Sequence, residues 1–563
     1  MAATTRRALV VLLAIALGAV GATAAGAAPP GADMSGTGAP PKGSGLGSKA
    51  ALAQDTCDQA TGRTNFQYEG SGPFCVNPWP KGKANGGATA PGVTATSVKV
   101  IVQLPNEQMT ALAASTGVAQ PKNQSTGATV PVEASLRDSS AVYDYATRKY
   151  GTYQLWGRTP EFEYVTASGS DEAAQRADAL AVVSQKPFMV IDAGGGEIFA
   201  TTVASRKTVV VGPGDNKSAA QQSPYRWLLA NDPEAQTFLT GNFLGRSLSG
   251  EKATWAGDDA LKTQKRSFGV IHPSTSFDVD AFQSQLKKSG STPATAVAYD
   301  NSDPSKAPDT LPVLITKLKT ANVTTVVLFT SAAVLKSAMD AATSQSYRPE
   351  WIITGFGYHD FDLYGRNADQ SQMAHAFGIG ILPPAYSGQP AASGLFQWYW
   401  GTTQGNFGPT HPYLASLIYQ AMHYAGPTLT AENVKKGLFS APALGGPADG
   451  TTYFQTGFGR TVRLPYDEYG SPGTDRVLLW WNPDITGGTQ AVRSIVGKGK
   501  FMYLEDGLRY AYGQFPTKEP KYFDESASVV EIPWSSTFPG GVIPPENPCP
   551  ECPINGGSGL SGA

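Results

Sequence analysis

Hydrophobic positions follow two different periods along residues 266–355, and the alternation predicts strand-then-helix units. Short apolar, β-branched runs such as these are typical of strands buried on both faces of a parallel sheet: 267–271, 295–299, 324–329 and 351–354. Between them, residues 309–320 and 332–343 place apolar side chains at helical spacing. We therefore predict a doubly wound α/β lobe with its ligand crevice at the carboxyl ends of the strands.

A second α/β pattern precedes this one and predicts another lobe. Apolar runs indicate strands at 98–104, 161–165, 188–191 and 208–211, and amphipathic segments indicate helices at 135–150, capped by Ser135, and at 170–185. Right-handed crossovers would bring the loops after these strands to one rim: 105–108, 193–197 and 212–216.

The three glycines Gly194, Gly195 and Gly196 lie on that rim, just before a predicted helix. Free backbone N–H groups at a helix start could hold an anion. The alternative is a turn that requires glycine for its backbone conformation alone.

The two ends of the chain have different compositions. Arg6 and Arg7 precede an apolar run from Ala8 to Val20 and a set of small residues, which predicts a cleaved secretory signal peptide. No cysteine follows that run, so we expect an exported protein without a lipid anchor and without stable membrane insertion. Residues 29–54 and 539–563 are rich in Gly, Pro and Ser, which favours disordered spacers.

Length, charge and cysteine use narrow the classes of function. With 563 residues and a hydrophobic fraction of 41% the chain is long enough for two domains. A net charge of −2 argues against a nucleic-acid partner. Export favours disulfides, and of the three possible pairings we favour the local ones, Cys57 with Cys75 and Cys549 with Cys552; a zinc site and a redox CxxC remain as alternatives.

Candidate catalytic groups are few. The chain has five histidines and contains no GxSxG, HExxH or phosphate-loop motif. Tyr358, His359, Asp360 and Asp362 follow a predicted strand and could form a metal or acid–base site, or a polar loop with a surface histidine. His272 ends another strand, where it either donates to a ligand or caps the next helix with Ser274.

The order of elements resembles type I periplasmic solute-binding proteins, in particular the branched-chain amino acid receptor-like group that serves ABC importers. The resemblance covers residues 98–512 and rests on VKVIVQLPN, VVSQKPFMVIDAGGG, TVVVGPGDN, KLKTANVTTVVLFT and SYRPEWIITGFG. It implies two doubly wound parallel-sheet lobes joined by three crossings, with a ligand held in a central cleft. Residues 373–382, the helix 411–426 and the strands 477–481 and 501–504 fit the later elements.

Composition gives the terminal segments of the chain, and the resemblance implies its two lobes and a set of partners. We expect a signal peptide at 1–28, a spacer with the Cys57/Cys75 loop at 29–95, a first lobe at 96–222 with part of 360–450, a second lobe at 223–358 with part of 450–530, and a Pro/Gly-rich tail at 531–563. The implied partners are a small-molecule ligand and the membrane permease of an ABC importer. Neither a cofactor nor an enzymatic activity is implied.

The rim loops supply the expected ligand contacts, which mix hydroxyl, aromatic, carboxamide and carboxylate groups. These are Asn106, Gly194, Gly195, Gly196, Asp215, His272, Ser274, Thr330 and Tyr358. Such a set suits a small polar or amphipathic molecule. We expect closure to occur by rotation near residues 212–215 and 355–358. A secreted enzyme using the loops of His272 and His359, and a receptor-like ligand sensor of the cell envelope, are the alternatives.

Overall fold

A computed structural model of the chain describes residues 38–66, 72–108, 132–194, 196–229, 233–275, 277–301, 306–387, 399, 410–449, 454–470, 473–490 and 496–533. The expected signal peptide, the tail beyond residue 533 with Cys549 and Cys552, and Gly195 lie outside the described residues.

The first described segment, residues 38–96, packs against the lobe that follows it. It contains helix α1 (Lys49–Leu52) and the antiparallel strands β1 (Cys57–Asp58) and β2 (Arg63–Thr64). A disulfide joins Cys57 to Cys75, as predicted. We expected residues 38–54 to be a disordered spacer, but they make defined contacts. Ser48 caps α1 by accepting the N–H of Ala51, and the side chain of Ala51 is buried.

The first lobe is a five-stranded parallel sheet covered by helices. Its strands are β3 (Ser97–Leu104), β4 (Thr159–Thr166), β5 (Met189–Asp192), β6 (Val209–Gly212) and β7 (Arg226–Leu228), in the order β4-β3-β5-β6-β7. Its first helices are α2 (Val132–Tyr150), α3 (Glu172–Ser184), α4 (Glu197–Ser205) and α5 (Asn216–Gln221). Ser135 lies inside α2 and not at its cap, because the helix begins three residues earlier than predicted.

The second lobe repeats this strand order and extends it. Its helices are α6 (Pro233–Phe243), α7 (Asp259–Lys262), α8 (Val279–Lys287), α9 (Ala307–Thr320), α10 (Ala332–Ser344), α11 (Asp362–Asn367) and α12 (Gln370–Met373). Its parallel strands are β8 (Phe268–Pro273), β9 (Thr295–Tyr299), β10 (Thr325–Leu328), β11 (Glu350–Ile353) and β12 (Ala376–Gly380), in the order β9-β8-β10-β11-β12. Both lobes therefore have the order second, first, third, fourth, fifth strand.

The remaining elements return to one lobe or the other. Strand β13 (Ala385–Ser387) precedes three helices: α13 (Thr410–Ala425), α14 (Ala431–Ser440) and α15 (Gly446–Asp449). Five strands follow: β14 (Asp475–Gly488), β15 (Val496–Leu504), β16 (Arg509–Ala511), β17 (Ser528–Val529) and β18 (Glu531–Pro533). β14 adds to β12 antiparallel, and β15 and β16 pair with β14. β13 and β18 form a separate parallel pair.

Buried apolar side chains lie on both faces of each sheet. Val100 and Val102 face a core that also contains Leu417, whereas Ile101 faces another with Phe199. In the second lobe, Ile271 and Val270 likewise belong to two different cores. This burial on two faces confirms the predicted fold class of two doubly wound α/β lobes.

In the described part of the chain, no helix is both long and apolar enough to span a membrane.

The chain passes between the lobes three times. It leaves the first lobe after β7 for α6, returns between β12 and α13, and leaves again between α14 and β14. The first passage follows Leu228 and not residue 222, because β7 still pairs with β6. Our expectation that rotation centres on residues 212–215 and 355–358 is wrong, because those residues are loops inside one lobe and not passages.

Hydrogen bonds of Arg158 link segment 38–96 to the first lobe. Its buried guanidinium donates to four backbone carbonyls: Thr94 O at 2.9 Å, Asn85 O at 2.9 Å, Gly87 O at 3.1 Å and Pro427 O at 2.8 Å. These acceptors come from segment 38–96 and from the turn after α13, so one side chain joins three parts of the chain.

His423 of α13 provides a second attachment. Its Nδ1 accepts the N–H of Gln154 at 2.7 Å, so Nε2 carries the proton and donates to Phe74 O at 2.8 Å. Burial lowers the pKa of His423 to about 4, which keeps the ring neutral at pH 7. The neighbouring Tyr424 hydroxyl accepts the N–H of Phe74 at 3.0 Å.

Candidate functional site

The carboxyl ends of the parallel strands form one rim on each lobe. On the first rim, Asn106 follows β3 and is partly exposed, Gly194 and Gly196 follow β5, and Asp215 follows β6. On the second rim, His272 lies at the end of β8 and Ser274 follows it, Thr330 follows β10 and Tyr358 follows β11. The predicted site residues that the structure describes therefore divide between two rims, as parallel sheets require.

Asp192 holds the glycine loop of the first rim. Its buried carboxylate accepts the N–H of Gly194 through Oδ1 and the N–H of Gly196 through Oδ2, each at 3.1 Å. The N–H groups of Gly194 and Gly196 are thus occupied and are not available to an anion. A Cβ atom on Gly194 would lie 2.3 Å from the backbone nitrogen of Pro105, so close approach of two chain segments requires glycine there. Contact of these glycines with a ligand stays a prediction.

Arg226 is buried near the first rim, and the sequence did not lead us to predict it as a site residue. Its Nη2 donates to Pro213 O, whereas Nε and Nη1 have no hydrogen-bond partner among the described residues. Burial lowers the pKa of Arg226 to about 10, against the opposing effect of Asp192, Glu197 and Asp215. These three acidic residues are therefore close enough to interact with the buried guanidinium.

Asp215 is exposed and caps helix α5. Its Oδ1 accepts the N–H of Ser218 at 2.8 Å and its Oδ2 accepts the hydroxyl of Ser218 at 3.0 Å. Both oxygens therefore already have a structural role at a helix start.

Aromatic side chains surround His272 on the second rim. The His272 ring stacks on Phe277 with centroids 5.0 Å apart, and Phe277 contacts Phe329 at 4.4 Å and Phe356 at 6.4 Å. His272 Nδ1 donates to Pro273 O at 2.9 Å, because a carbonyl can only accept, which leaves Nε2 as an acceptor. Burial lowers the pKa of His272, so the neutral ring combines an apolar face with one acceptor.

The hydroxyl groups of the second rim differ in their surroundings. Ser274 is exposed and donates to Asn301 Oδ1 at 3.3 Å, together with Thr275 at 3.0 Å. Thr330 is fully buried, and its Oγ1 has no hydrogen-bond partner in the described structure. Thr330 is thus a buried polar group to which the described residues supply no partner.

The turn after β11 has a strained backbone. Gly355 and Gly357 have φ of 77° and 60°, and Tyr358 has φ of 58°, in a left-handed region that costs a non-glycine residue energy. Such outliers concentrate at functional sites. The turn directs Tyr358 toward the charges of Asp360 and Arg476, and burial raises the pKa of Tyr358 to about 12.

His359 supports this turn from inside. Its Nε2 accepts the N–H of Thr354 at 2.8 Å and of Gly355 at 3.1 Å, so Nδ1 carries the proton. Nδ1 has no partner among the described residues, and burial lowers the pKa of His359 to about 3. The interpretation as a surface histidine is wrong, because the side chain has no exposed area.

Asp360 and Asp362 diverge from His359. Asp360 Oδ2 accepts the N–H of Ile381 at 2.6 Å and of Leu382 at 2.8 Å, whereas Asp362 Oδ1 accepts the N–H of Phe501 at 2.9 Å. Across the described ranges, no group of three or more His, Cys, Asp or Glu side chains is placed to hold a metal ion. The sequence proximity of these three residues therefore does not create a metal site there.

A buried charged cluster lies beside this turn, and we name it the edge cluster: Tyr358, Asp360, Asp475, Arg476 and Arg509. Arg509 binds Asp475 through Nε at 2.9 Å and Nη2 at 3.0 Å, and both side chains are fully buried. Arg476 Nη1 donates to Gly473 O at 2.8 Å and to Asp475 O at 2.6 Å. Burial lowers the pKa of Arg476 to about 10.

Sequence reasoning missed Arg226 and Arg476. Arg226 opens the buried strand RWL, and Arg476 is the second residue of β14, directly before its buried apolar run VLLWW. A charged residue inside a run that reads as buried on both faces is the signal that would have found them, since such residues are almost never buried without a partner.

Comparison with known proteins gives similarities of fold. No protein-family model and no curated protein matches the chain. Many similar solved structures are type I periplasmic solute-binding proteins of ABC transporters. A substrate-binding protein from Aeropyrum pernix is 10% identical over 76% of this chain and 97% of its own, with a TM-score of 0.46.

Two further structures carry the name of a ligand. A fatty acid transporter substrate-binding protein from Thermomonospora curvata is 14% identical over 75% of this chain and 96% of its own, with a TM-score of 0.42. A solute-binding protein from R. palustris, in complex with 4-hydroxybenzoate, is 13% identical over 67% of this chain and 95% of its own, with a TM-score of 0.40. With identities below 25% and TM-scores below 0.5, these similarities are similarities of fold.

Proposed function

We propose that the chain is an extracytoplasmic solute-binding protein that captures a small polar or amphipathic molecule between its two lobes and delivers it to the permease of an ABC importer. The observation that carries the proposal is the repetition of one strand order in two lobes joined by three passages of the chain. In parallel sheets of this kind, ligands bind outside the carboxyl ends of the strands.

The rims offer the mixture of groups that such a ligand needs. The partly buried Phe277 and Phe356 provide apolar surface on the second rim, beside the neutral acceptor of His272. Phe329 and Thr330 are fully buried. A few oriented polar groups in an apolar surface are the usual composition of a small-molecule site.

Capture by two lobes depends on contacts that exist only in the closed form. A ligand shifts the equilibrium between open and closed forms only by its difference in affinity for them. Under the proposal the first rim, with Asn106 and Gly194, holds the ligand first, and Tyr358 and His272 complete the enclosure. Under the proposal the lobes rotate about the three passages of the chain, which follow β7, separate β12 from α13, and separate α14 from β14.

Location outside the cytoplasm is supported by the Cys57–Cys75 disulfide, since such bonds persist in oxidising compartments. The amino-terminal signal pattern agrees with it. The permease of an ABC importer is the partner that the resemblance to type I periplasmic solute-binding proteins implies.

The enzyme alternative has less support from the described residues. His359 cannot act as a base through Nε2, because two backbone N–H groups already occupy that lone pair. His272 keeps one acceptor, but no carboxylate is hydrogen-bonded to its other nitrogen, which donates to a carbonyl.

We expect Tyr358→Ala to weaken binding of any captured solute by about 1–3 kcal/mol, the usual cost of removing a buried aromatic anchor. The measurement is calorimetry on the purified mature chain with a solute found by a thermal-shift screen against a nutrient panel. Tyr358→Phe keeps the ring and separates its contribution from that of the hydroxyl.

Tyr225→Ala is the matched control. Tyr225 is partly buried and precedes β7, at the edge of the first sheet opposite its rim, so its removal should leave the affinity unchanged. Equal losses in the Tyr225 and Tyr358 variants, or no loss in either, would argue against ligand contact at the second rim.

A further inference from the structure

An open groove of about 610 Å³ lies on the second lobe, and we name it the far groove. A cavity of this volume is within the range of small-molecule sites. Its lining includes two partly exposed aromatic residues and four charged ones: Trp255, Phe523, Glu519, Lys521, Asp524 and Glu525.

The far groove lies at the end of the second sheet opposite the rim. The N–H of Trp255 donates to Glu350 Oε1 at 3.1 Å, and Glu350 is the first residue of β11. Glu519 binds Arg266, which precedes β8, at 2.6 Å. The length of β11, 4 residues or roughly 13 Å, therefore lies between the groove and the rim. A ligand in the far groove is thus separate from a solute captured between the lobes.

Two aromatic rings form the apolar part of the far groove. The rings of Trp255 and Phe523 are tilted against each other, with centroids 5.2 Å apart. Phe523 also contacts Trp480 at 5.1 Å and Phe377 at 5.9 Å. Its backbone has φ of 59°, in the left-handed region that costs a non-glycine residue energy. The ring contacts therefore hold Phe523 in a strained position at the groove.

Carboxylates line the groove beside these rings. Glu519 Oε1 accepts the indole N–H of Trp255 at 2.9 Å, and Glu525 Oε1 accepts an N–H of the Asn482 amide at 2.9 Å. In both glutamates Oε2 accepts no hydrogen bond from the described residues. A hydrogen bond from a neighbouring serine hydroxyl lowers the pKa of Asp524, so this carboxylate is ionised at neutral pH.

Negative charge is in excess at the far groove. Arg266 binds Glu350 at 2.7 Å and Glu519 at 2.6 Å, so one guanidinium serves two carboxylates. Lys521, the one basic residue in the described lining, likewise has two acidic neighbours, Asp524 and the residue after it. Two negative charges therefore remain uncompensated, and an anionic ligand would be repelled.

We propose that the far groove binds a quaternary ammonium compound, with its methyl groups on the rings of Trp255 and Phe523 and its charge beside Asp524 and Glu525. This site goes beyond the proposed function and does not depend on it. The faces of aromatic rings attract cations, and tryptophan does so most strongly. A primary ammonium is strongly hydrated and would lose more hydration on contact with the rings, whereas a quaternary ammonium has no N–H groups to satisfy.

Choline and neohexyl alcohol are a matched pair of probes, because a carbon atom in the alcohol replaces the quaternary nitrogen of choline and the shape is kept. Any difference in their binding reports the charge. By saturation-transfer NMR on the mature chain at millimolar probe concentration, we expect choline to bind about fivefold more tightly or better.

Two variants locate the binding in the far groove. Trp255→Leu keeps an apolar side chain but removes the aromatic face, and we expect the preference for choline to disappear. Asp524→Asn combined with Glu525→Gln removes both charges and keeps an oxygen at each position. Lys521 then dominates the local field, so this double variant should also lose the preference.

Trp79→Leu is the matched control. Trp79 is a partly buried tryptophan of segment 38–96, and Lys83 already covers its ring at 4.3 Å from the centroid. Its replacement should leave the preference for choline unchanged.

Four results would overturn the proposal. These are equal binding of the two probes by wild type, binding of neither, a preference for choline that survives in Trp255→Leu or in the double variant, and a preference lost equally in Trp79→Leu. Any of them would leave solute capture between the lobes standing, because the far groove and the rim lie at opposite ends of the sheet.

Discussion

Replacing Asp475 by Asn lowers the free energy of unfolding by about 3–5 kcal/mol, because it removes one partner of a buried ion pair and leaves the other uncompensated. Arg509 would lose both charged contacts at 2.9 Å and 3.0 Å while remaining fully buried. Arg476 lies close enough to interact with Arg509, and the repulsion between them would no longer be balanced by Asp475. Urea unfolding followed by tryptophan fluorescence measures the change.

The matched control is Asp340→Asn in α10. Asp340 forms an ion pair with Lys336 at 2.5 Å, but both side chains are about half exposed, and such a surface pair contributes about 0.5 kcal/mol or less. Similar losses in the two variants would contradict the view that the edge cluster depends on its buried pair.

Replacing Cys57 and Cys75 together by Ser lowers the free energy of unfolding by about 2–4 kcal/mol, the typical effect of a disulfide that closes a loop of this size. The two cysteines are 18 residues apart, and both are buried beside Ala51. The loop they close contains Phe74, which is bound by His423 and Tyr424 of the first lobe. Loss of the disulfide therefore raises the conformational entropy of the unfolded chain and weakens the packing of segment 38–96 against the first lobe.

Reductant provides the control for this pair. Wild type in excess reductant should unfold like the double Ser variant, and the variant itself should not respond to reductant. A variant as stable as oxidised wild type would show that the packing of Phe74 and Phe66 holds the segment without the bond.

The elements of both lobes follow from the sequence because periodicity and burial agree there. The predicted strand 295–299 has the observed bounds of β9, and the helix predicted at 332–343 ends one residue from the end of α10. Strands buried on both faces read as continuous apolar runs, and each is followed by a helix with one apolar side.

The edge cluster could not be predicted, because its members come from distant parts of the chain. Asp360 follows β11, Asp475 and Arg476 open β14, and Arg509 opens β16. Their contact depends on β14 pairing antiparallel with β12, and a local pattern does not specify that pairing. His359 was misread for a related reason, since burial of a polar residue depends on partners such as Thr354 N–H that a motif does not reveal.

The amino-terminal segment shows the limit of composition as a guide. Residues 38–54 have the Gly, Pro and Ser content of a spacer, yet Ser44 and Leu46 are buried. Asn77, beyond the disulfide loop, donates its N–H to Ser44 O at 2.7 Å, Pro427 lies beside Gly43, and Leu46 belongs to the core of the first lobe. The composition of a segment indicates how much apolar surface it can bury by itself. It does not indicate which of its residues another part of the chain will bury.

Small-angle X-ray scattering of the mature chain, with and without a solute identified by the thermal-shift screen, tests capture between the lobes most directly. We predict a smaller radius of gyration with the solute bound, because contact with both rims is available only when the lobes approach each other. A solute that binds without changing the radius of gyration, and whose affinity is unaffected by replacing Tyr358 or His272, would contradict it.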